Sequence, residues 1–141
     1  MTSLQGLVGK RLPAITAIVA PGRLRHFRRI VGSADPDEAR APPTYLFALE
    51  MLESARPMAF VEELGVDIAT VLHSEQAFTY HGPVYAGDTI TLETQIADIF
   101  EKKAGALVFV VQDTRATNQH DRIVADIRRT LVIRRKSQRA G

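Results

Sequence analysis

No cysteine occurs among the 141 residues, which removes disulfide scaffolds, thiolate zinc sites, iron–sulfur clusters and thiol nucleophiles in one step. Any chemistry must rest on oxygen and nitrogen groups. Tryptophan is also absent and aromatics are 6% of the chain, with none interleaved among the C-terminal arginines as a nucleic-acid stacking platform would need. No apolar run approaches the roughly 20 residues that span a bilayer. Met1 to Lys10 has neither a basic n-region nor an apolar h-region, so a soluble, unexported, cytoplasmic protein without a membrane partner is expected. Gly-x-Gly-x-x-Gly, a Walker lysine loop, a Gly-x-Ser-x-Gly elbow and His-Glu-x-x-His are all missing. Dinucleotide, nucleotide, elbow-type serine hydrolase and zincin readings lose their support, and no cofactor is expected.

What remains is an ordinary globular composition, 45% hydrophobic and 24% charged, at a length that suits one domain. The net charge of +2 hides an asymmetry. Residues 127–141 hold Arg128, Arg129, Arg134, Arg135, Lys136 and Arg139 with no acid, which leaves the rest of the chain at −4. The basic balance belongs to one end, so no nucleic-acid partner is expected.

Hydrophobic periodicity divides the chain in two. Leu12 to Val19 is short, β-branched and followed by Pro21-Gly22, a strand closed by a turn. Leu24, Phe27, Ile30 and Val31 then recur at helical spacing with Arg23, Arg25, Arg28 and Arg29 between them, and Gly32 supplies a stop. A short helix with a basic outer side is expected. Pro42-Pro43 precedes Thr44 to Ala55, apolar on more than one face, which predicts a buried central helix, the longest in the chain. Phe60, Val61 and Leu64 make a short continuation stopped at Gly65. Beyond Val71 the period becomes two: 73–80, 89–100, 106–117 and 122–134 read as strands, the last three as a meander. Strand, short helix, buried helix and a run of antiparallel strands make an α+β protein in which the sheet wraps the helix.

Four histidines are available: His26, His73, His81 and His120. His26 reads as a surface residue of the basic helix and His120 as a solvated hairpin tip. A period of two places His73, Glu75, Ala77 and Thr79 on one strand face, where His73 and Glu75 could reach one ligand or simply form a structural pair. A metal would need a third ligand, and His81 lies ~26 Å along a straight strand, so no metal site is expected. Asp35-Pro36-Asp37-Glu38 is the main acidic cluster, open to both turn chemistry and catalysis. Ala41-Pro42-Pro43-Thr44 aims the first amides of the buried helix, around Thr44 and Tyr45, at the preceding loop, a place to polarise a carbonyl.

The order Gly32-x-x-Asp35-Pro36, Ala41-Pro42-Pro43-Thr44-Tyr45, Leu64-Gly65-x-Asp67 and Leu72-His73-Ser74-Glu75-Gln76-x-Phe78-x-Tyr80-His81-x-Pro83-Val84-x-Ala86-Gly87-Asp88 resembles the MaoC-like dehydratases. The likeness is to their N-terminal type of hotdog domain, related to the dehydratase domain of type I fatty acid synthase and to non-catalytic subunits of (3R)-hydroxyacyl-carrier-protein dehydratases. It spans Gly9 to Arg134, with 73–88 the most specific block. It implies a hotdog fold, a long central helix wrapped by a curved antiparallel sheet, over 1–135, with 136–141 left as a basic tail. It also implies an acyl-thioester substrate, on coenzyme A or acyl carrier protein.

In active relatives an Asp in the loop before the helix and a His five positions later act on a 2-enoyl thioester. Asp35 matches the acid, but the histidine position is Arg40. A guanidinium does not exchange protons near neutral pH and so cannot act as a general acid/base. Asp35, His73 and His81 are therefore the catalytic candidates, and Arg40, Thr44, Tyr45, Glu75 and Gly87 the substrate-binding ones. Three readings stay open: a half-site of an enoyl hydratase/3-hydroxyacyl dehydratase completed by a catalytic hotdog chain, a self-sufficient hydratase using His73 or His81, and a non-enzymatic or thioesterase-like hotdog. All three imply a homodimer or heterodimer.

Overall fold

Pro21, expected to close the first strand as a turn residue, instead opens a helix. Its fixed φ and missing N–H suit the first helical turn. The computed structural model describes residues 4–135; the expected basic tail at 136–141 lies outside them. In chain order it contains β1 (Ile15–Ile18), α1 (Pro21–Val31), α2 (Tyr45–Glu53), α3 (Ala59–Glu62), β2 (Val71–Tyr80), β3 (Thr89–Lys102), β4 (Leu107–Thr117) and β5 (Ile123–Arg134). The strands form one sheet in the order β1-β3-β4-β5-β2, every pair antiparallel. The expected meander is β3 to β5, and β2 closes one edge with ten residues.

Gly32 ends α1 at φ 65°, where its N–H reaches the carbonyl of Arg29 and Ser33 N–H that of Arg28. Only a residue without Cβ takes that conformation freely. The expected apolar stripe of α1 is turned: Leu24 and Arg28 are buried, whereas Ile30 is 68% exposed. Arg28 is drawn inward because its guanidinium donates to the carbonyls of Asp35 at 2.6 Å and Arg40 at 3.0 Å.

α2 spans nine residues and α1 eleven, so the mid-chain helix is not the longest. Ser54 stops it early by taking extended backbone and accepting a hydrogen bond from Arg56 N–H through its hydroxyl, a local alternative to the helical ladder. Its inward stripe is Tyr45, Leu46, Leu49 and Glu50, all buried in the concave side of the sheet, while Leu52 is 54% exposed. The all-round apolar character of α2 therefore reflects two faces, one packed on the sheet and one open.

β2 departs from simple alternation. His73 pairs with Leu131 and Glu75 with Thr130, so Ser74 is an extra residue in a bulge. Beyond it Gln76, Phe78 and Tyr80 pair with Arg129, Ile127 and Ala125, which share the helix-facing side with Leu131. The bulge puts His73 on that inner face and Glu75 on the outer one. The expected grouping of the two on one face is corrected, because one inserted residue reverses the side of every residue after it.

Candidate functional site

Asp35 and Arg40 line a cavity of about 610 Å³ together with Pro42, Pro43, Tyr80 and Val84 among others. Several bonds fix its wall. Ala41 N–H donates to Val84 O and Ala86 N–H to Ala39 O, both at 2.7 Å, stitching the loop before α2 to the segment after β2. The Tyr80 hydroxyl donates to Pro43 O, and Arg28 clamps Asp35 and Arg40 from behind through their carbonyls. Burial raises the Tyr80 phenol to about 12, so it stays a protonated donor at physiological pH.

Asp35 accepts the N–H of Asp37 at 2.9 Å on one carboxylate oxygen and faces Arg40 Nε at 3.7 Å with the other. Arg40 also reaches Asp37 at 3.8 Å and is half exposed. These are loose, solvated pairs, each contributing about 0–1 kcal/mol, so the guanidinium is free to exchange a carboxylate for a phosphate. Thr44 is the exposed N-cap of α2 and makes no side-chain cap. The side chain of Tyr45 is wholly buried, edge-on to Phe27 at 5.2 Å, and its N–H is held by Pro42 O at 3.0 Å. Its hydroxyl has no partner, and burial first and Glu53 second raise its pKa. Thr44 itself does not line the cavity; it directly follows Pro42 and Pro43, which do.

The remaining candidates lie elsewhere. His81 follows the inward-facing Tyr80 and so turns outward, its Nε2 2.8 Å from the Asp126 carboxylate, which Arg115 also holds. Those two partners lower the Asp126 pKa, the His81 hydrogen bond most. His73 sits at the far end of β2, ~23 Å from Tyr80 along the strand, with its ring edge-on to Phe47 at 5.4 Å. His73 is exposed on one side, but partial burial of its ring first, then the charge of Arg129, lowers its pKa. Glu75 is exposed on the outer face. Gly87, at φ 89°, donates to Val19 O in the turn before β3. One chain thus brings together Asp35, Arg40 and the α2 terminus, and leaves both candidate histidines outside.

A larger groove of about 840 Å³ crosses the outer sheet face. Four of its charges pair, Arg128 with Asp113 at 2.7 Å and Arg115 with Asp126 at 3.2 Å, and the exposed character of these side chains reads as a solvated face. Among the described residues no cluster of three or more metal-ligating side chains forms, and no helix is long and apolar enough to cross a membrane.

Sequence reasoning missed three features. Arg28, Tyr80 and the buried pair of Glu50 with Arg129, joined at 2.8 and 3.0 Å, all position the loop or the helix. Only the last left a trace: Glu50 interrupts an apolar helix, and Arg129 stands between Ile127 and Leu131 on the inner side of β5.

Residues 6–127 match the family described as FAS1-like, dehydratase domain region. A UPF0336 protein of Clavibacter michiganensis subsp. michiganensis is 33% identical over 116 residues, 72% of this chain and 77% of the relative. A chain of the C-terminally truncated HadBC (3R-hydroxyacyl-ACP dehydratase) complex from Mycobacterium tuberculosis superposes with a TM-score of 0.72 at 24% identity, covering 89% of this chain and 96% of that one. A MaoC-like dehydratase superposes with a TM-score of 0.77 at 22% identity over 93% of this chain and 43% of the other. These likenesses show the hotdog fold.

Proposed function

Because the chain belongs to the FAS1-like dehydratase domain family, we propose that it is the acyl-thioester-binding half of an enoyl hydratase/3-hydroxyacyl dehydratase pair, completed by a second hotdog chain that brings the catalytic His and Asp. One observation carries this reading. The cavity presents a carboxylate, Asp35, and beside it a guanidinium, Arg40, at the place where proton transfer would need an imidazole. Neither His73 nor His81 enters that cavity from within the chain.

The parts fit binding. Thr44 and the α2 terminus offer a partial positive charge to a thioester carbonyl. Tyr80, Val84 and the prolines offer an apolar floor. Arg40, exposed at the rim, suits the phosphate of coenzyme A or of a carrier-bound phosphopantetheine. The need for a partner has structural support too: β2 is an open edge of ten residues, and the exposed Leu52 of α2 and Leu72 of β2 leave apolar surface beside it. The structural neighbour from Mycobacterium tuberculosis is itself a dehydratase complex, which favours a second hotdog chain as the occupant.

An enoyl absorbance assay tests the reading. The purified chain should hydrate crotonyl-coenzyme A negligibly, since a positioned general acid/base is worth roughly 10²–10⁴-fold, and a hotdog partner bearing Asp-x-x-x-x-His should restore turnover. Robust turnover by this chain alone, lost in His73→Ala or His81→Ala, would replace the half-site with a self-sufficient enzyme.

A further inference from the structure

Helix α1 carries its charges in a pattern that folding alone does not explain. Its eleven residues hold Arg23, Arg25, His26, Arg28 and Arg29 and no acid. Two of these arginines serve the fold, Arg23 by pairing with Glu53 at 2.8 Å and Arg28 by holding the carbonyls of Asp35 and Arg40. The others do not. Arg25, His26 and Arg29 are exposed, and among the described residues none of their side chains has a hydrogen-bond or ion-pair partner. Arg25 and Arg29 stand one helical turn apart, a spacing at which like charges repel and weaken a helix. His26 and Ile30 form the adjacent turn-spaced pair, with Ile30 68% exposed. Because Leu24 and Arg28 turn inward, the helical period sets Arg25, Arg29, His26 and Ile30 side by side on the outer face.

This face adjoins the cavity beside Asp35. α1 ends at Gly32, and Ser33 lines the cavity together with Asp35 and Arg40, the two residues whose carbonyls Arg28 holds. Ile30 lies three positions before Ser33, at most ~11 Å of chain. α1 leaves β1, the sheet edge opposite β2, so its outer face is not the surface given to the hotdog partner. A second copy of this chain does not suit it either, because a two-fold contact would set arginine against arginine. An exposed isoleucine flanked by unpaired arginines fits a protein surface that is acidic around an apolar spot.

We propose that the outer face of α1, formed by Arg25, His26, Arg29 and Ile30, docks an acidic carrier protein that delivers the acyl chain on phosphopantetheine into the neighbouring cavity. The docking rests on the acyl-thioester reading above and adds to it the kind of carrier. Arg40 meets the phosphate that a carrier-bound phosphopantetheine shares with coenzyme A. Coenzyme A has no protein surface to set on Ile30, so the outer face of α1 separates the two carriers.

Calorimetry on the full chain, with octanoyl-coenzyme A and with an acidic acyl carrier protein bearing octanoyl-phosphopantetheine, tests this. In Arg25→Glu/Arg29→Glu, affinity for the loaded carrier protein should fall by on the order of tenfold or more, while affinity for octanoyl-coenzyme A changes far less. Ile30→Ser should weaken the carrier protein alone. An unchanged urea midpoint shows that each variant is folded, as expected at exposed positions. Carrier-protein affinity that does not move in either folded variant overturns the docking, and so does a loss shared equally by both ligands. Capture of the chain by phosphatidylglycerol vesicles, lost in the charge-reversed variant and without carrier-protein binding, gives the face to a lipid surface instead. Binding of octanoyl-coenzyme A without any of the carrier protein overturns the docking and leaves the acyl-thioester reading standing. Absence of binding by both ligands withdraws that reading, and the docking with it.

Discussion

Arg28 and His73 show how much a single side chain's surroundings change its meaning. Arg28 donates to two backbone carbonyls, and a planar fork suits that task better than an ammonium. Arg28→Ala should lower stability by about 2–3 kcal/mol, the range for hydrogen bonds from a charged donor, and Arg28→Lys should recover only part of it in urea melts. His73 has its pKa lowered, by burial first and Arg129 second, so the folded chain takes up a proton less readily than the unfolded one. The sign follows: the stability linked to His73 is present above the unfolded value of about 6.5 and is lost as pH falls through the folded value. His73→Gln should flatten the decline in the urea midpoint between about pH 7.5 and pH 5. An unchanged slope in the variant would locate the acid sensitivity elsewhere.

At the scale of elements, α2 carries different loads on its two sides. Leu49 is completely buried and Leu52 is not. Leu49→Ala should cost about 2–5 kcal/mol in an unfolding titration, whereas Leu52→Ala should stay within about 0.5 kcal/mol for the isolated fold. Leu52→Lys should instead weaken subunit association in sedimentation experiments if α2 and the β2 edge meet a second hotdog chain. Unaltered association would place the interface on another surface. The Ser74 bulge matters in the same way, since it alone sets His73 beside Phe47 and Phe60 rather than beside Glu75.

For the molecule as a whole, the ion pair between Glu50 and Arg129 ties the helix to the centre of the sheet. Removing one partner strands a buried charge, so Arg129→Ala should cost about 3–5 kcal/mol, while joint replacement by apolar residues of similar size should be close to neutral. Comparison of the two variants by urea denaturation separates the cost of the stranded charge from the worth of the pair. The same pair sits between two apolar clusters of the core and fixes the position of α2 over the sheet.

Local and periodic features were readable from the chain. Arg40 in the place of a histidine rests on the resemblance to the MaoC-like dehydratases, whereas Gly32 as a helix stop, the β3 to β5 meander and a buried mid-chain helix all follow from residue type and spacing, because each depends on neighbours a few positions away. The early end of α2 at Ser54, the inward turn of Arg28 and the bulge at Ser74 do not. Each depends on a hydrogen bond or a pairing register, and a register shift by one residue leaves the hydrophobic pattern nearly intact while reversing the faces. Asp35 is singled out by the family resemblance, yet the cavity around it is built by Tyr80, Val84 and Ala86, which return from about forty residues further on to bond the loop. Sequence alone determined which chemistry the chain lacks and which fold its periodicity supports. Tertiary structure decided which side chains share a space, because burial and long-range hydrogen bonds, unlike propensity, are properties of residues that meet only after folding.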